Sequence, residues 1–166
     1  MSHSAELAGK AVLITGAAGC IGAWVVKQLR ELGATPVVFD IAENRERLDL
    51  IMPDAETVIW ELGDITDFER LLEVAEAHNI EAIIHLAALQ VPFCKADPVG
   101  STRINVMGSI HMLELARHEI WRTQARLESL LGEIALEDDP AKLSARINAA
   151  IERLVSFSDK LEQKSS

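Results

Sequence analysis

Gly16, Gly19 and Gly22 recur at every third position inside Val12-Leu13-Ile14-Thr15-Gly16-Ala17-Ala18-Gly19-Cys20-Ile21-Gly22. An apolar strand that enters a helix through glycines brings backbone N–H groups and the positive end of the helix dipole to one spot, and such a spot suits a pyrophosphate. In this spacing Gly16 permits the tight turn, Gly19 lets phosphates approach the backbone, and Gly22 lets the helix pack closely on the strand. A glycine-rich turn that binds nothing has the same spacing, so the reading depends on what else reaches the same edge. Asp40 ends the apolar run Pro36-Val37-Val38-Phe39 and lies 18 positions beyond Gly22. That is close to the distance at which a carboxylate accepts hydrogen bonds from the ribose hydroxyls of an adenine dinucleotide. The same charge repels a 2′-phosphate, which favours NAD over NADP, while Arg45 and Arg47 nearby pull the other way. An Asp at a strand end is also an ordinary turn residue.

The other reactive side chains form no recognisable constellation. Cys20 and Cys94 are the only cysteines and lack metal-ligand spacing. Cys20 sits where a helix N-terminus can activate a thiol, yet reads as a small space-filling residue. His85, inside an apolar run, reads as a satisfied core residue, and His111 and His118 read as surface or packing residues. Ser/His/Asp groupings and a Gly-Lys-Ser/Thr phosphate loop are absent. No catalytic residue and no metal ligand is assigned.

Four strands and their helices must position these groups. The helix after the turn carries Ala23, Val25, Val26 and Leu29 and closes at Gly33. Strands are predicted at 12–15, 36–40, 57–62 and 82–88, with a helix over Phe68 to His78 capped by Thr66 or Asp67. Short apolar runs alternating with amphipathic helices predict a three-layer α/β Rossmann-like fold, a parallel sheet with helices on both faces. Right-handed crossovers give strand order 3-2-1-4, with the crevice beyond the carboxyl ends of strands 1 and 4. The glycine turn, Asp40, Asp64 and Ala87-Ala88 all fall at that edge.

Composition bounds the partners. A chain of 166 residues, 49% of them apolar, is expected to fold as one domain. Its formal charge of −10 argues against nucleic acid or an anionic membrane as the main partner. No apolar run approaches the ~18 residues of a membrane span, and the N-terminus lacks the basic and apolar regions of a signal peptide, so a cytoplasmic protein is expected. Two cysteines fit a reducing compartment.

Taken together, Thr15-Gly16-Ala17-Ala18-Gly19-Cys20-Ile21-Gly22, Asp40, Gly63-Asp64-Ile65-Thr66-Asp67, His85-Leu86-Ala87-Ala88 and Asn105-Val106-Met107-Gly108-Ser109 through Leu113-Glu114-Leu115-Ala116-Arg117 resemble the extended short-chain dehydrogenases. The resemblance is to the NAD-dependent epimerase/dehydratase group and covers about residues 10–120. It implies NAD as cofactor. Gly16, Ala18, Gly19, Cys20, Ile21 and Gly22 would hold the pyrophosphate, and Asp40 with Ile41 the adenosine ribose. Asp64 and Ile65 would line the adenine pocket, Leu86, Ala87 and Ala88 would pass beside the nicotinamide, and Asn105 would support strand 4. Members of the group continue with a Tyr-x-x-x-Lys pair whose phenol transfers the proton. This chain has no tyrosine, which removes that group from it.

The character of the sequence changes near Trp121. Residues 1–120 carry 9 basic against 18 acidic side chains, and residues 121–166 carry 7 against 8. The division is therefore into an NAD-binding half-Rossmann domain over 1–120 and a helical hairpin over 121–166. Asp139 and Pro140 start the hairpin's second helix, and Leu143, Ile147, Ala150, Leu154, Phe157 and Leu161 form a heptad seam. That seam can cover the edge of strand 4 or join copies of the chain in a homo-oligomer. Three functions follow as expectations: an NAD(H)-binding protein resembling the cofactor half of a nucleotide-sugar epimerase/dehydratase, a non-catalytic assembly protein on a relic dinucleotide fold, or an oxidoreductase or epimerase completed by a partner chain.

Overall fold

The computed structural model describes residues 7–119 and Arg122. The chain divides into two compact units, Met1–Arg117 and His118–Ser166. In the second unit Arg122 Nη1 donates to Glu119 Oε1 at 2.9 Å. The expected hairpin, with its break at Pro140 and its seam from Leu143 to Leu161, lies outside the described residues, Arg122 excepted.

The first unit is built on four parallel strands, β1 (Ala11–Thr15), β2 (Thr35–Asp40), β3 (Ile59–Leu62) and β4 (Ala82–His85), in the order β3-β2-β1-β4. This is the Rossmann-like order expected from the alternation of apolar runs and helices. Side chains alternate between the two faces of a strand, so each strand feeds two cores. Val12, Ile14 and Val38 pack with Ala23, Val26 and Leu29 of α1 (Cys20–Glu31) and with Leu48 of α2 (Glu46–Ile51). Leu13, Val37 and Phe39 face the other way, onto Leu71, Val74 and Ala75 of α3 (Phe68–Ala77) and onto Met112 and Leu115. Every one of these side chains is at least nine-tenths buried, and each full burial of a Leu, Val or Phe contributes about 1.5–3 kcal/mol.

Two strand boundaries differ from expectation by more than one residue. The third strand starts at Ile59 because Ala55–Thr57 wind into a 3₁₀ turn, in which both the amide and the hydroxyl of Thr57 donate to the Asp54 carbonyl. The fourth ends at His85; the Leu86 amide still bonds the Thr15 carbonyl at 3.1 Å, and Ala87-Ala88 then leave the ladder to pass the glycine turn. Asp67 is the cap of α3, its Oδ1 accepting the Arg70 amide at 3.1 Å. Gly33 closes the turn after α1 at φ +78°, as a C-terminal glycine should.

Beyond β4 the chain runs through α4 (Val91–Ala96), α5 (Pro98–Thr102), a π-helical turn (Arg103–Met107) and the helix α6 over 108–119. Among the described residues no helix is long and apolar enough to cross a membrane.

Candidate functional site

The glycine turn is shaped by close approach. Gly16 has φ +73°, and a Cβ on it would lie 2.7 Å from the Ala87 nitrogen and 2.8 Å from the Leu86 carbonyl carbon. No side chain fits there, and the positive φ disfavours one independently. Gly22 is equally confined, since a Cβ would stand 2.5 Å from Ala17 Cα and from the Gly16 carbonyl oxygen. Its contact is with the turn itself rather than with the strand below. Gly19 differs: its φ is −71°, and a Cβ would meet only the Gly16 carbonyl oxygen, at 3.2 Å.

The first hydrogen bond inside α1 runs from the Ala23 amide to the Gly19 carbonyl. The amides of Cys20, Ile21 and Gly22 are therefore left without an intrahelical partner. No side chain caps this end, and no acidic residue stands in the first turn, so nothing within the helix compensates the positive end of its dipole. Cys20 is exposed, contrary to a space-filling role, and Ile21 is 70% exposed.

Asp40 reaches the turn across 22 residues of sequence. Its Oδ2 accepts the Ala18 amide at 3.2 Å and its Oδ1 accepts the Ile41 amide at 2.9 Å. The carbonyl of the same Ala18 accepts Nη1 of Arg47 at 2.9 Å. Two opposite charges thus grip the two polar groups of one residue in the turn. Arg45, which the sequence could not separate from Arg47, is committed elsewhere. It donates to the carbonyls of Ala55 and Val58, pairs with Glu43, and lies 5.1 Å over the ring of Trp60.

Asp64 and Ile65 follow β3 at the same edge. Asp64 is exposed and its Oδ1 takes the Thr66 amide at 2.8 Å. The Ile65 side chain belongs to the core and touches Gly108, where a Cβ would fall 2.3 Å from its Cδ1. The Ile65 carbonyl bonds His111 Nδ1 at 2.9 Å, and Phe68 stands 5.4 Å from that ring, so His111 packs. Asn105 clamps the segment after β4: its Oδ1 accepts the Leu89 amide at 2.7 Å and its Nδ2 donates to the Leu89 carbonyl at 3.0 Å. Its support therefore falls just past Ala88 rather than on the strand. Cys94 adds a thiol bond to the same carbonyl.

Thr15 and His85 are register partners at the ends of β1 and β4. Thr15 Oγ1 lies 2.6 Å from His85 Nδ1, and His85 Nε2 lies 3.2 Å from Ser109 Oγ. The Leu86 and Ala87 amides each donate to Thr15 Oγ1 at 3.2 Å. Burial holds the His85 pKa below the usual histidine value. Sequence patterning gives Thr15 and Ser109 no role of their own and offers Arg47 only as a cation near Asp40; the signal that points to Thr15 is register, since two residues ending adjacent parallel strands must meet.

Comparison with known proteins covers the same part of the chain. Residues 13–129 match the family described as GDP-mannose 4,6 dehydratase. A UDP-glucose 4-epimerase of Rhizobium leguminosarum bv. trifolii is 40% identical over 115 residues, 67% of this chain and 33% of its own. The crystal structure of a UDP-glucose 4-epimerase from Brucella ovis in complex with NAD is similar at TM-score 0.57 and 32% identity, over 67% of this chain and 33% of that one. An L-threonine dehydrogenase from Clostridium difficile is similar at TM-score 0.59 and 32% identity, over 68% of this chain and 34% of that one. The chain spans about a third of the length of the curated relatives it matches.

Proposed function

The chain belongs to the epimerase/dehydratase family of short-chain dehydrogenases and corresponds to its N-terminal, cofactor-binding part, and on that premise we propose that it binds NAD along the edge where β1, β2 and β4 end. The observation that carries the reading is the bond between Asp40 and the Ala18 amide, which brings the carboxylate expected at an adenosine ribose onto the turn expected at a pyrophosphate.

The residues present fit the group. Three free amides at the start of α1 face an end of the helix that bears no acid, and Gly19 leaves open the space a Cβ would occupy. Each carboxylate oxygen of Asp40 already accepts one amide and retains a lone pair for a ribose hydroxyl. Asp64 is the exposed member of its pair and faces solvent at the adenine side, and Leu86-Ala87-Ala88 form the wall on the nicotinamide side. When bound, NAD supplies a nicotinamide ring that accepts or returns hydride. The phenol that the family uses to move the matching proton has no counterpart among these 166 residues. The chain alone is therefore read as a cofactor-binding part, and epimerase or dehydrogenase turnover needs a proton-transfer group from outside it.

Isothermal titration of the full chain with NAD and with NADP tests this. Saturable binding of NAD, tighter than NADP, is expected. No heat and no protection against melting at millimolar NAD overturns the reading.

A further inference from the structure

The hydrogens around His85 can be placed by elimination. A carbonyl oxygen only accepts, so the 2.7 Å contact between Ser109 Oγ and the Asn105 carbonyl uses the one hydroxyl proton of Ser109. Ser109 must then accept from His85, which puts a proton on Nε2. On the other side, Thr15 Oγ1 already accepts two amides, those of Leu86 and Ala87. Both of its lone pairs are used, and its own proton is left for the contact with His85, so Nδ1 is bare and accepts at 2.6 Å. The chain of bonds runs in one direction only: Thr15 to His85, His85 to Ser109, Ser109 to the Asn105 carbonyl.

We infer that His85 is a positioning residue for the cofactor edge: as the neutral Nε2–H tautomer it orients the Thr15 hydroxyl so that both lone pairs hold the Leu86 and Ala87 amides against Gly16. An imidazolium, or the other tautomer, would present an N–H to an oxygen with no lone pair left and would displace one of the two amides. The Leu86 amide has a second acceptor in the Thr15 carbonyl at 3.1 Å, so the Ala87 amide is the one released. Desolvation is the cause of the His85 pKa shift; the side chains hydrogen-bonded to the ring are the uncharged hydroxyls of Thr15 and Ser109. Ala87 is also the residue whose nitrogen limits Gly16, so the same chain sets the spacing between the glycine turn and the wall beside it.

Long-range ¹H–¹⁵N correlation of the histidine rings in the full chain at neutral pH tests the tautomer without any variant or ligand. A protonated Nε2 and an unprotonated Nδ1 at His85 are expected; the reverse, or an imidazolium, overturns the inference. Amide exchange then tests the positioning. Thr15→Val and His85→Phe should each speed exchange at Ala87 by about tenfold relative to core amides of β2, and Thr15→Ser and His85→Asn, which restore a hydroxyl or an acceptor, should stay within about threefold of the wild type. Equal exchange in the Phe and Asn variants overturns the inference.

Its consequence for the cofactor rests on the function proposed above: Thr15→Val should weaken NAD by about tenfold against Thr15→Ser. NAD bound equally by both refutes the positioning role. The expected tautomer and exchange in a chain that binds no NAD refutes the proposed function and leaves the geometry standing.

Discussion

The α-carbon of Gly16 and the nitrogen of Ala87 stand so close that a methyl group between them would sit 2.7 Å from that nitrogen. Both are backbone, so neither can rotate away. With φ at +73° as well, Gly16→Ala combines strain with a clash, and a loss of about 2 kcal/mol or more in urea unfolding is expected. Unfolding within 0.5 kcal/mol of wild type, on the order of an ordinary surface substitution, would contradict this packing.

Gly19 separates binding from folding. Its backbone is one that any residue adopts, and an added methyl would touch a single carbonyl oxygen at 3.2 Å. Gly19→Ala should therefore change stability by less than about 1 kcal/mol while weakening NAD by at least about tenfold. Parallel melting and titration check the pair, and unchanged affinity would remove the turn from the site.

The two arginines after Asp40 should behave differently. Arg47 keeps Nε and Nη2 free of partners among the described residues while touching the turn at Ala18. Its replacement by Ala should raise the NAD preference over NADP several-fold by removing a cation that shares Ala18 with Asp40. Arg45→Ala should instead cost about 1–2 kcal/mol of stability, because it deletes two bonds to backbone carbonyls and a contact over Trp60. Equal effects of both on cofactor preference would be evidence against the assignment.

Stability should fall in two stages on acidification. His85 is held below its ordinary value of 6.5 by burial; the folded state favours its neutral form, so that contribution is present above pH 6.5 and is lost as pH falls through the lower folded value. Glu61 is held below its ordinary 4.5, chiefly by the hydrogen bond to His78 and also by Arg70. Its contribution is present above pH 4.5 and is lost as pH falls through its own folded value. Urea midpoints measured from pH 7 to 3 should lose the later stage in Glu61→Gln and the earlier one in His85→Asn. A profile that keeps both stages in both variants would assign the acid limb to other groups.

The parts of the edge that could be read from sequence are those carried by local spacing. Gly16, Gly19, Gly22 and Asp40 lie on one β-α-β unit, whose geometry is set by the handed crossover, and the strand order followed from the same rule. The contacts that local spacing does not announce are long-range. Thr15 and His85 are 70 residues apart, and neither residue type announces a hydrogen bond to the other. Arg45 and Arg47 are alike in sequence and differ only because Trp60 and the 3₁₀ turn stand beneath the first. The same turn withdrew Thr57 and Val58 from β3, since their amides bond Asp54 and Ala55 instead of a neighbouring strand.

The π-helical turn at Arg103–Met107 acts as a phase adjuster for the helix that follows. A wide turn holds one more residue than an α turn, so everything beyond it is rotated by about 100° relative to uninterrupted winding. With that offset, Asn105 meets Leu89 while Ser109 meets His85 and Gly108 lies on Ile65. Deleting one residue from the turn would regularise the helix and swing Ser109 and Gly108 away together, leaving His85 without its acceptor and Ile65 without its seat. The irregular winding, more than any single side chain, is what indexes α6 against the strand ends.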